Sequence, residues 1–295
     1  MIVGLGTNSV DLVCTVPTAP SPTGPASKQR LTNFRHSCGG QVATTLSALA
    51  AFGVPTRYVG AFGSDANATL IRSELERRGV DLSRAVTRDA PNRFAVVIVD
   101  ATTGERIVLW DRDEQLALTE DEVTIDAIRG ASVVHVDDVD VRASIRAATL
   151  ARSLGIDVTT DIDRAVDGIG ELVAASTHPI FSEHVAAELT GETDPERALR
   201  KLRRTHSGLL TITLGANGAV ALAGDTLIHA PGISVKPVDT TGAGDIFRAG
   251  FIFGLEQGWD VARLLRFANA AAAASCQRSG AIDSIPSLAE VTQLV

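Results

Sequence analysis

Apolar residues in the first 111 positions occur mainly in short runs, separated by segments rich in glycine, proline and polar residues. Such short or weakly alternating runs are typical of buried and edge strands. They predict strands at 2–5, 28–38, 56–61, 93–99 and 105–111, with an extended segment at 10–13. The last two strands form a predicted hairpin with a turn at 101–104, and the four prolines of 17–27 predict an irregular surface segment.

Two stretches in this N-terminal part have helical spacing instead. A helix of small residues follows the pair Gly39-Gly40 and stops at Gly53, and an amphipathic helix ends at Gly79. A glycine pair before a close-packed helix lets a ligand lie against the backbone. This junction is therefore a candidate binding segment.

From residue 120 onward, strand and helix patterns alternate. Helices are predicted at 120–129, 141–153, 166–175, 182–190 and 194–204, and strands at 132–136, 156–160, 178–181, 209–213 and 217–222. Alternation of this kind predicts βαβ units and a mainly parallel sheet covered on both faces. An alanine-rich helix at 260–277 follows, and its small side chains allow tight packing. We expect an α/β fold, with residues 1–295 forming a single domain.

Composition narrows the classes of partner and the cellular location. The 295 residues carry a net charge of −8, which argues against nucleic acid or an anionic membrane as a partner. No stretch reaches the roughly 18 apolar residues of a membrane span, and the N-terminus does not resemble a signal peptide, so we expect a cytoplasmic protein. Cys14, Cys38 and Cys276 are too scattered to indicate a disulfide framework or a zinc site.

The stretch 239–255, DTTGAGDIFRAGFIFGL, carries the clearest candidate chemistry. Gly242, Ala243 and Gly244 leave the backbone accessible, and apolar residues follow Asp245 at helical spacing. A loop opening a helix directs unpaired amides and the positive end of the helix dipole at one point, where an anion can bind. An acidic residue there suits a base that takes a proton from an attacking hydroxyl. The alternative is an ordinary tight turn with Asp239 or Thr241 as the helix cap.

The sequence motifs of several other enzyme classes are absent. It contains no G-x-x-x-x-G-K-[ST], no H-E-x-x-H and no G-x-S-x-G. The six histidines show no metal-ligand spacing. The Gly-Ala-Gly turn must therefore hold any nucleotide phosphates.

The segment DTTGAGD followed by F-x-AGF resembles the C-terminal signature of the ribokinase/PfkB-like carbohydrate kinases, and the similarity extends from Asp11 to Ala281. The resemblance implies a three-layer α/β/α fold with a small β-sheet lid built from about 12–38 and 93–112. It also implies ATP and Mg²⁺ as cofactors, with a monovalent cation as a further candidate, and a homodimer formed through the lid sheet.

The same resemblance implies roles for individual residues. Asp245 would be the catalytic base, and the amides of Gly242, Ala243, Gly244 and Asp245 would form the anion hole. Arg106 would face the transferred phosphate, as in the ketohexokinase branch, although a solvated hairpin arginine is an equal alternative.

Sugar binding is implied for a second group of residues. Asp11 matches an aspartate that ends the first strand of the family and binds sugar hydroxyls. Gly39, Gly40 and Gln41 belong to the family's GG motif, in which Thr44 replaces the usual asparagine. This replacement leaves the usual substrate in question.

Nucleotide and metal contacts are implied for a third group. The nucleotide candidates are Thr213, Gly215, Gly218, Thr240, Gly242, Gly244, Asn269 and Gly280. Asp161 and Asp163 follow a strand end and are candidates for carboxylates near the metal, with solvated acids as the alternative. Glu183 is a possible substitute for the family's N-x-x-E motif, which is missing at 182–185.

Together these features predict an ATP-dependent kinase acting on a hydroxyl of a small sugar. The missing N-x-x-E resembles ketohexokinases and some bacterial ketose kinases, which favours a ketose such as fructose. A nucleoside kinase of the same superfamily is one alternative. A sugar- or nucleotide-binding regulator that has lost the chemistry is the other.

Overall fold

The computed structural model describes residues 1–103 and 105–295. The turn predicted at 101–104 ends on Gly104, which lies outside the described residues. Among those described, no helix is long and apolar enough to cross a membrane.

The described residues contain fourteen strands and ten α-helices, which we number in chain order. The strands are β1 Ile2–Leu5, β2 Ser9–Val16, β3 Asn33–Gly39, β4 Thr56–Val59, β5 Ala61–Phe62, β6 Val86–Thr87, β7 Phe94–Asp100, β8 Arg106–Asp111, β9 Val133–Asp137, β10 Asp157–Asp161, β11 Ile180–Ser182, β12 Leu210–Thr213, β13 Ala219–Ala223 and β14 Thr226–Ala230. The helices are α1 Gln41–Ala51, α2 Ala66–Arg77, α3 Ile125–Ile128, α4 Val141–Ser153, α5 Ile169–Ala175, α6 Glu183–Thr190, α7 Pro195–Leu202, α8 Ala243–Glu256, α9 Val261–Ser275 and α10 Leu288–Leu294.

The central sheet has the strand order β4-β1-β9-β10-β11-β12-β13-β14. Parallel pairing runs from β4 to β12, with β10 joined to β11 through isolated parallel bridges, and β13 and β14 are antiparallel. The carboxyl ends of the parallel strands therefore meet at one edge, where open α/β sheets generally bind their ligands.

Helices cover both faces of this sheet. Helices α3 to α7 pack on one face and α1, α2, α8, α9 and α10 on the other. Strand β1 shows why both faces are apolar, because Ile2 belongs to the core on one side while Val3 and Leu5 belong to the core on the other. The predicted three-layer α/β/α class with a mainly parallel sheet is confirmed.

A second, smaller sheet has the order β3-β2-β7-β8. Strands β2 and β7 pair in parallel, and the other two pairings are antiparallel. These strands come from the two segments in which the lid was expected. We call this sheet the small sheet.

Three local predictions differ from the structure. The expected strand at 28–38 begins only at Asn33. The helix expected at 120–129 is a 3₁₀ turn, Glu120–Glu122, followed by the single turn α3. The extended Val123 interrupts it, because Thr119 and Thr124 each start a new turn. Asp11 lies inside β2 rather than at the end of the first strand, since β1 already ends at Leu5.

The packing of α8 against α9 gives a stability prediction. A Cβ atom at Gly250 would lie 2.8 Å from the Cα of Ala268 and 3.3 Å from the Cβ of Ala271. Gly250→Ala should therefore lower the free energy of unfolding by about 2 kcal/mol through overpacking. The measurement is urea unfolding followed by circular dichroism.

Gly170→Ala is the matched control. Gly170 is an exposed residue of helix α5, and no atom lies within 4 Å of a Cβ added there, so alanine should raise stability by roughly 0.5–1 kcal/mol through helix propensity. Equal stabilisation by both substitutions would contradict the tight α8–α9 contact.

Candidate active site

The signature segment folds as a loop that opens α8. Gly242 caps this helix with a φ of 77°, and a Cβ there would lie 2.8 Å from the Cα of Ala281. Glycine is required because a side chain would be strained by the backbone conformation and would collide with the neighbouring chain. The loop is thus pressed against the segment that follows α9.

The backbone amides at this helix start are largely free. Among the described residues, the N–H groups of Gly242, Gly244 and Asp245 have no acceptor within the protein. The amide of Ala243 instead donates to the carbonyl oxygen of Thr240 at 3.2 Å. The predicted anion hole must therefore be corrected from four amides to three, because the Ala243 amide closes the turn before the helix.

Asp245 lies in the first turn of α8 and lines a cleft of about 500 Å³ between the sheet edge and the small sheet. Its carbonyl oxygen accepts a hydrogen bond from the Thr45 hydroxyl at 3.0 Å, which ties α8 to α1. Burial and the neighbouring Asp161 carboxylate raise the pKa of Asp245 well above its ordinary range, while Arg248 acts in the opposite direction. The side chain is thus built to hold a proton more tightly than a solvated aspartate.

Arg248 and Asp161 form a buried ion pair beside Asp245. Arg248 Nη2 lies 2.6 Å from Asp161 Oδ1, and both side chains are almost fully buried. Burial raises the pKa of Asp161 to about 7, although the Arg248 charge favours its ionised form. The charge of Arg248 therefore offsets the repulsion between the two carboxylates.

Two of the three metal candidates lie at the cleft, and the third does not. Asp161 and Asp163 both line the cleft, and Asp161 Oδ2 is a buried oxygen with no partner among the described residues. Glu183 is exposed at the start of α6 and does not line the cleft, so its predicted role as a metal anchor is not supported.

The carboxylates of Asp161 and Asp163 can supply only part of a Mg²⁺ coordination shell. Within the described ranges, no three acidic, histidine or cysteine side chains converge as a metal site. Mg²⁺ usually keeps several waters and is bound by one or two carboxylates together with substrate phosphates. Asp161 and Asp163 can supply these one or two carboxylates.

Some of the predicted sugar-binding residues line the cleft, and others do not. Asp11, Gly40 and Gln41 line the 500 Å³ cleft. Gly39 does not line it, and a Cβ atom added at Gly39 would lie 3.6 Å from Asp11 Oδ2. Thr44 is fully buried within α1 and does not line the cleft. Its predicted sugar contact is therefore wrong, because the helix turns this position into the core.

The small sheet forms one wall of this cleft, and Arg106 joins that wall to the signature loop. Arg106 Nη1 donates to Thr241 Oγ1 at 2.8 Å and lies 3.7 Å from Asp239 Oδ1. Arg106 also lines the cleft, so it is not a purely solvated arginine, and its role towards a phosphate stays a prediction.

A second cleft, of about 490 Å³, lies on the other side of the α8 N-terminus. It is lined by the nucleotide candidates Thr213, Gly215, Gly218, Thr240, Gly244 and Asn269. Thr213 and Gly244 border both clefts. Two ligands bound in the two clefts would therefore meet at the free amides of α8.

Two nucleotide candidates lie elsewhere. Gly242 lines the first cleft rather than the second. Gly280 does not line the second cleft, because its amide donates to Asp239 Oδ2 at 2.9 Å and so fixes the signature loop. The predicted adenine contact at Gly280 is thus replaced by a structural one.

Sequence reasoning missed several arginines of the first cleft. Arg93, Arg164 and Arg248 all line it, and none was a candidate. Arg248 did carry a signal, because it is a charged residue in an otherwise apolar helical stretch, one turn after Asp245. Arg93 and Arg164 had no comparable signal.

A three-layer α/β/α fold with two clefts that meet at a helix N-terminus agrees with the class of kinase that the signature segment resembles. The family model described as pfkB family carbohydrate kinase matches residues 1–288, and the chain belongs to this family. Members of this family transfer phosphate to an alcohol group, so the chain is a phosphotransferase of that class.

Individual relatives agree with this assignment. The chain is 31% identical to an ATP-dependent ribose-1-phosphate kinase of Halopiger xanaduensis, covering 92% of this chain and 90% of the relative. It is 28% identical to Fructokinase-1 of Zea mays, covering 100% and 97%. The structure of Arabidopsis thaliana ribokinase complexed with ribose and ATP superimposes with a TM-score of 0.84 and 25% identity, covering 99% of this chain and 97% of that one.

Proposed function

We propose that the chain transfers the γ-phosphate of ATP to a hydroxyl of a small sugar, with Asp245 as the base. The observation that carries this proposal is the arrangement at the start of α8, where a carboxylate with a raised pKa and three free amides border the junction of two clefts. Free amides at a helix N-terminus favour an anion at the point where phosphoryl charge develops.

The chain's own residues would divide the work as follows. Asp11, Gly40 and Gln41 orient the sugar, and Asp245 accepts the proton of the hydroxyl that attacks phosphorus. The amides of Gly242, Gly244 and Asp245 hold the transferring phosphoryl group. Each such donor is worth roughly 3–4 kcal/mol of transition-state stabilisation.

Nucleotide binding is assigned to the second cleft, with Thr213, Gly215, Gly218 and Asn269 along its walls. Mg²⁺ bound with ATP would neutralise charge on the phosphate oxygens, and Asp161 and Asp163 are the carboxylates that would hold its waters. Dependence on a monovalent cation stays a prediction, which a comparison of K⁺ with Na⁺ buffers tests.

The test is ADP release from ATP and Mg²⁺ in the presence of a panel of ketoses, aldoses, sugar acids and nucleosides. The proposal expects ADP release with at least one sugar. The missing N-x-x-E motif, together with the similarity to the maize fructokinase, favours fructose among neutral sugars. Release with a nucleoside but with no sugar would establish the nucleoside-kinase alternative. Tight sugar binding without release across the panel would favour the regulator.

We further propose a homodimer formed through the outer face of the small sheet. On β8, Val108 and Trp110 line the cleft, so Ile107 and Leu109 point to the opposite face, where they are 44% and 56% exposed. Adjacent exposed apolar residues on a sheet surface are typical of protein interfaces. Strand β8 is also a sheet edge, which a second copy could extend.

Replacing Ile107 and Leu109 together by glutamate should convert the dimer to a monomer, because two buried charges would face their copies across the interface. Light scattering after size exclusion should give twice the chain mass of 30.8 kDa for the parent and a single chain for the variant. Leu154→Glu, at an exposed apolar residue beyond α4, is the control and should remain dimeric. A monomeric parent would rule out the proposed interface.

A further inference from the structure

Four arginines line the cleft assigned to the sugar, namely Arg93, Arg106, Arg164 and Arg248. Four carboxylates line the same cleft, those of Asp11, Asp161, Asp163 and Asp245, so the informative feature is an arginine that has no carboxylate partner. Three of the four have partners in the chain, since Arg248 pairs with Asp161, Arg164 pairs with Asp138, and Arg106 contacts the signature loop. Arg93 is the one that needs another explanation.

Arg93 immediately precedes β7 in the small sheet, and its guanidinium has no ion pair or hydrogen bond within residues 1–103 and 105–295. Its Nε is fully buried. The guanidinium makes a cation–π contact with the Trp110 ring, with 5.7 Å between the guanidinium carbon and the ring centroid. Burying an unpaired charge is costly, so this arrangement is most favourable when an anion is bound.

Arg164 follows β10 and approaches the same region from the central sheet. Its Nη2 donates to the carbonyl oxygen of Asp138 at 3.1 Å and to Asp138 Oδ1 at 3.3 Å. Its other donors find no acceptor in the part of the chain that the structure describes. Burial is the main cause that lowers the pKa of the Arg93 guanidinium. Arg164 is close enough for its positive charge to lower that pKa further. Two positive groups thus face one region of the cleft.

The carboxylates near Arg93 do not neutralise it. Asp137 is already occupied, because it accepts hydrogen bonds from the amide and hydroxyl of Thr7 and from the amide of Val139. Asp11 accepts a hydrogen bond from the Ser9 hydroxyl at 3.2 Å and is the proposed acceptor for sugar hydroxyls. Neither carboxylate forms an ion pair with Arg93 among the described residues.

Arg93 and Asp245 belong to different walls of the cleft, because Arg93 precedes β7 of the small sheet whereas Asp245 lies in the first turn of α8. An anion bound at Arg93 would therefore contact a different wall from the hydroxyl that Asp245 deprotonates.

We propose that the acceptor sugar carries an anionic group, either a phosphate or a carboxylate, which binds between Arg93 and Arg164. This inference rests on the proposed function and narrows its substrate from a free sugar to a charged one. The guanidinium fork of arginine matches both groups with two parallel hydrogen bonds. The new phosphate would be formed at the hydroxyl whose proton Asp245 accepts, by a bond from that hydroxyl oxygen to Pγ as the bond from Pγ to the ADP oxygen breaks.

The first test compares sugars in matched pairs, using ADP release with ATP and Mg²⁺. Fructose is compared with fructose 1-phosphate and fructose 6-phosphate, ribose with ribose 1-phosphate and ribose 5-phosphate, and glucose with gluconate. One charged member should have a kcat/KM on the order of 10²-fold above its neutral partner, as expected for charge-assisted hydrogen bonds. Preference within the phosphate pairs or within the gluconate pair identifies which anion is bound.

The second test uses Arg93→Gln. This change should lower kcat/KM for the charged acceptor by roughly 10²-fold, mainly through KM, and leave kcat/KM for a neutral sugar within about twofold. Arg164→Gln is a second variant on a different element, which keeps the test valid if the first variant folds poorly. Arg200→Gln, at an exposed arginine of α7, is the matched control and should change neither value.

Three results would overturn the inference, and one of them also removes the proposed function. Neutral sugars phosphorylated as well as or better than their charged partners would reject the anion site but leave a sugar kinase. An equal loss with neutral and charged acceptors in Arg93→Gln, together with a raised KM for ATP, would place Arg93 at the nucleotide phosphates instead. No ADP release with any sugar would reject the proposed function, and the anion site with it.

Discussion

Asp245→Asn is expected to lower kcat by on the order of 10²-fold or more while leaving the affinity for ATP close to that of the parent. Asparagine keeps the size of the side chain but cannot accept the hydroxyl proton. It also removes a negative charge that lies beside Asp161 and next to the phosphate-binding amides. ATP binding should therefore be unchanged or somewhat tighter, so the loss should appear in turnover alone.

Turnover is measured by ADP release and ATP affinity by calorimetry on the same preparations. Asp225→Asn, at an exposed aspartate in the turn between β13 and β14, is the matched control and should behave like the parent. Near-normal turnover in Asp245→Asn would exclude this residue as the base.

Gly242→Ala should also reduce kcat strongly, by about 10²–10³-fold. The added Cβ would lie 2.8 Å from the Cα and 2.9 Å from the Cβ of Ala281, at a residue with φ of 77°. Neither the backbone of residue 281 nor a left-handed alanine yields easily, so the loop must shift. Its shift would displace the three free amides from the position of the transferring phosphoryl group.

Gly258→Ala separates this effect from simple backbone strain. Gly258 has a φ of 66°, close to that of Gly242, but no atom lies within 4 Å of a built Cβ. Gly258→Ala should therefore lose only the stability that backbone strain costs, whereas Gly242→Ala should lose more because of the collision with residue 281, and only Gly242→Ala should lose activity. If the two variants had equal kcat, the amides of the loop would not form the anion hole.

The sequence predicted the parts of this site that depend on local backbone geometry. The glycines of 242–244 and the apolar spacing after Asp245 are sufficient to predict a loop that opens a helix, and the structure contains that loop. The parallel sheet was also predictable, because alternating strand and helix patterns have few other solutions. These features are encoded within short stretches of the chain.

The errors concern side-chain direction and tertiary contact. Thr44 was expected to reach the sugar, but the position of α1 turns it into the core. Glu183 and Gly280 were expected near ligands, yet one is exposed outside the cleft and the other holds Asp239. Each depends on how an element is oriented against its neighbours, which sequence periodicity does not determine.

The arginines were missed for a related reason. Arg93 is notable only because no carboxylate pairs with it in the folded part of the chain that the structure describes. The Arg248–Asp161 pair joins residues that are far apart in sequence. A missing or distant partner leaves no local pattern, so these residues could be recognised only after the elements were assembled.

The central claim is that Asp245 and the free amides of α8 together transfer phosphate from ATP to a sugar hydroxyl. Its most direct test is to incubate the protein with ATP labelled with ³²P at the γ-position and the acceptor selected by the panel, and then to separate the products. The account predicts that the parent moves the label onto the sugar and that Asp245→Asn does so at least about 10²-fold more slowly. Equal labelling of the sugar by both proteins, or label released only as inorganic phosphate, would contradict it.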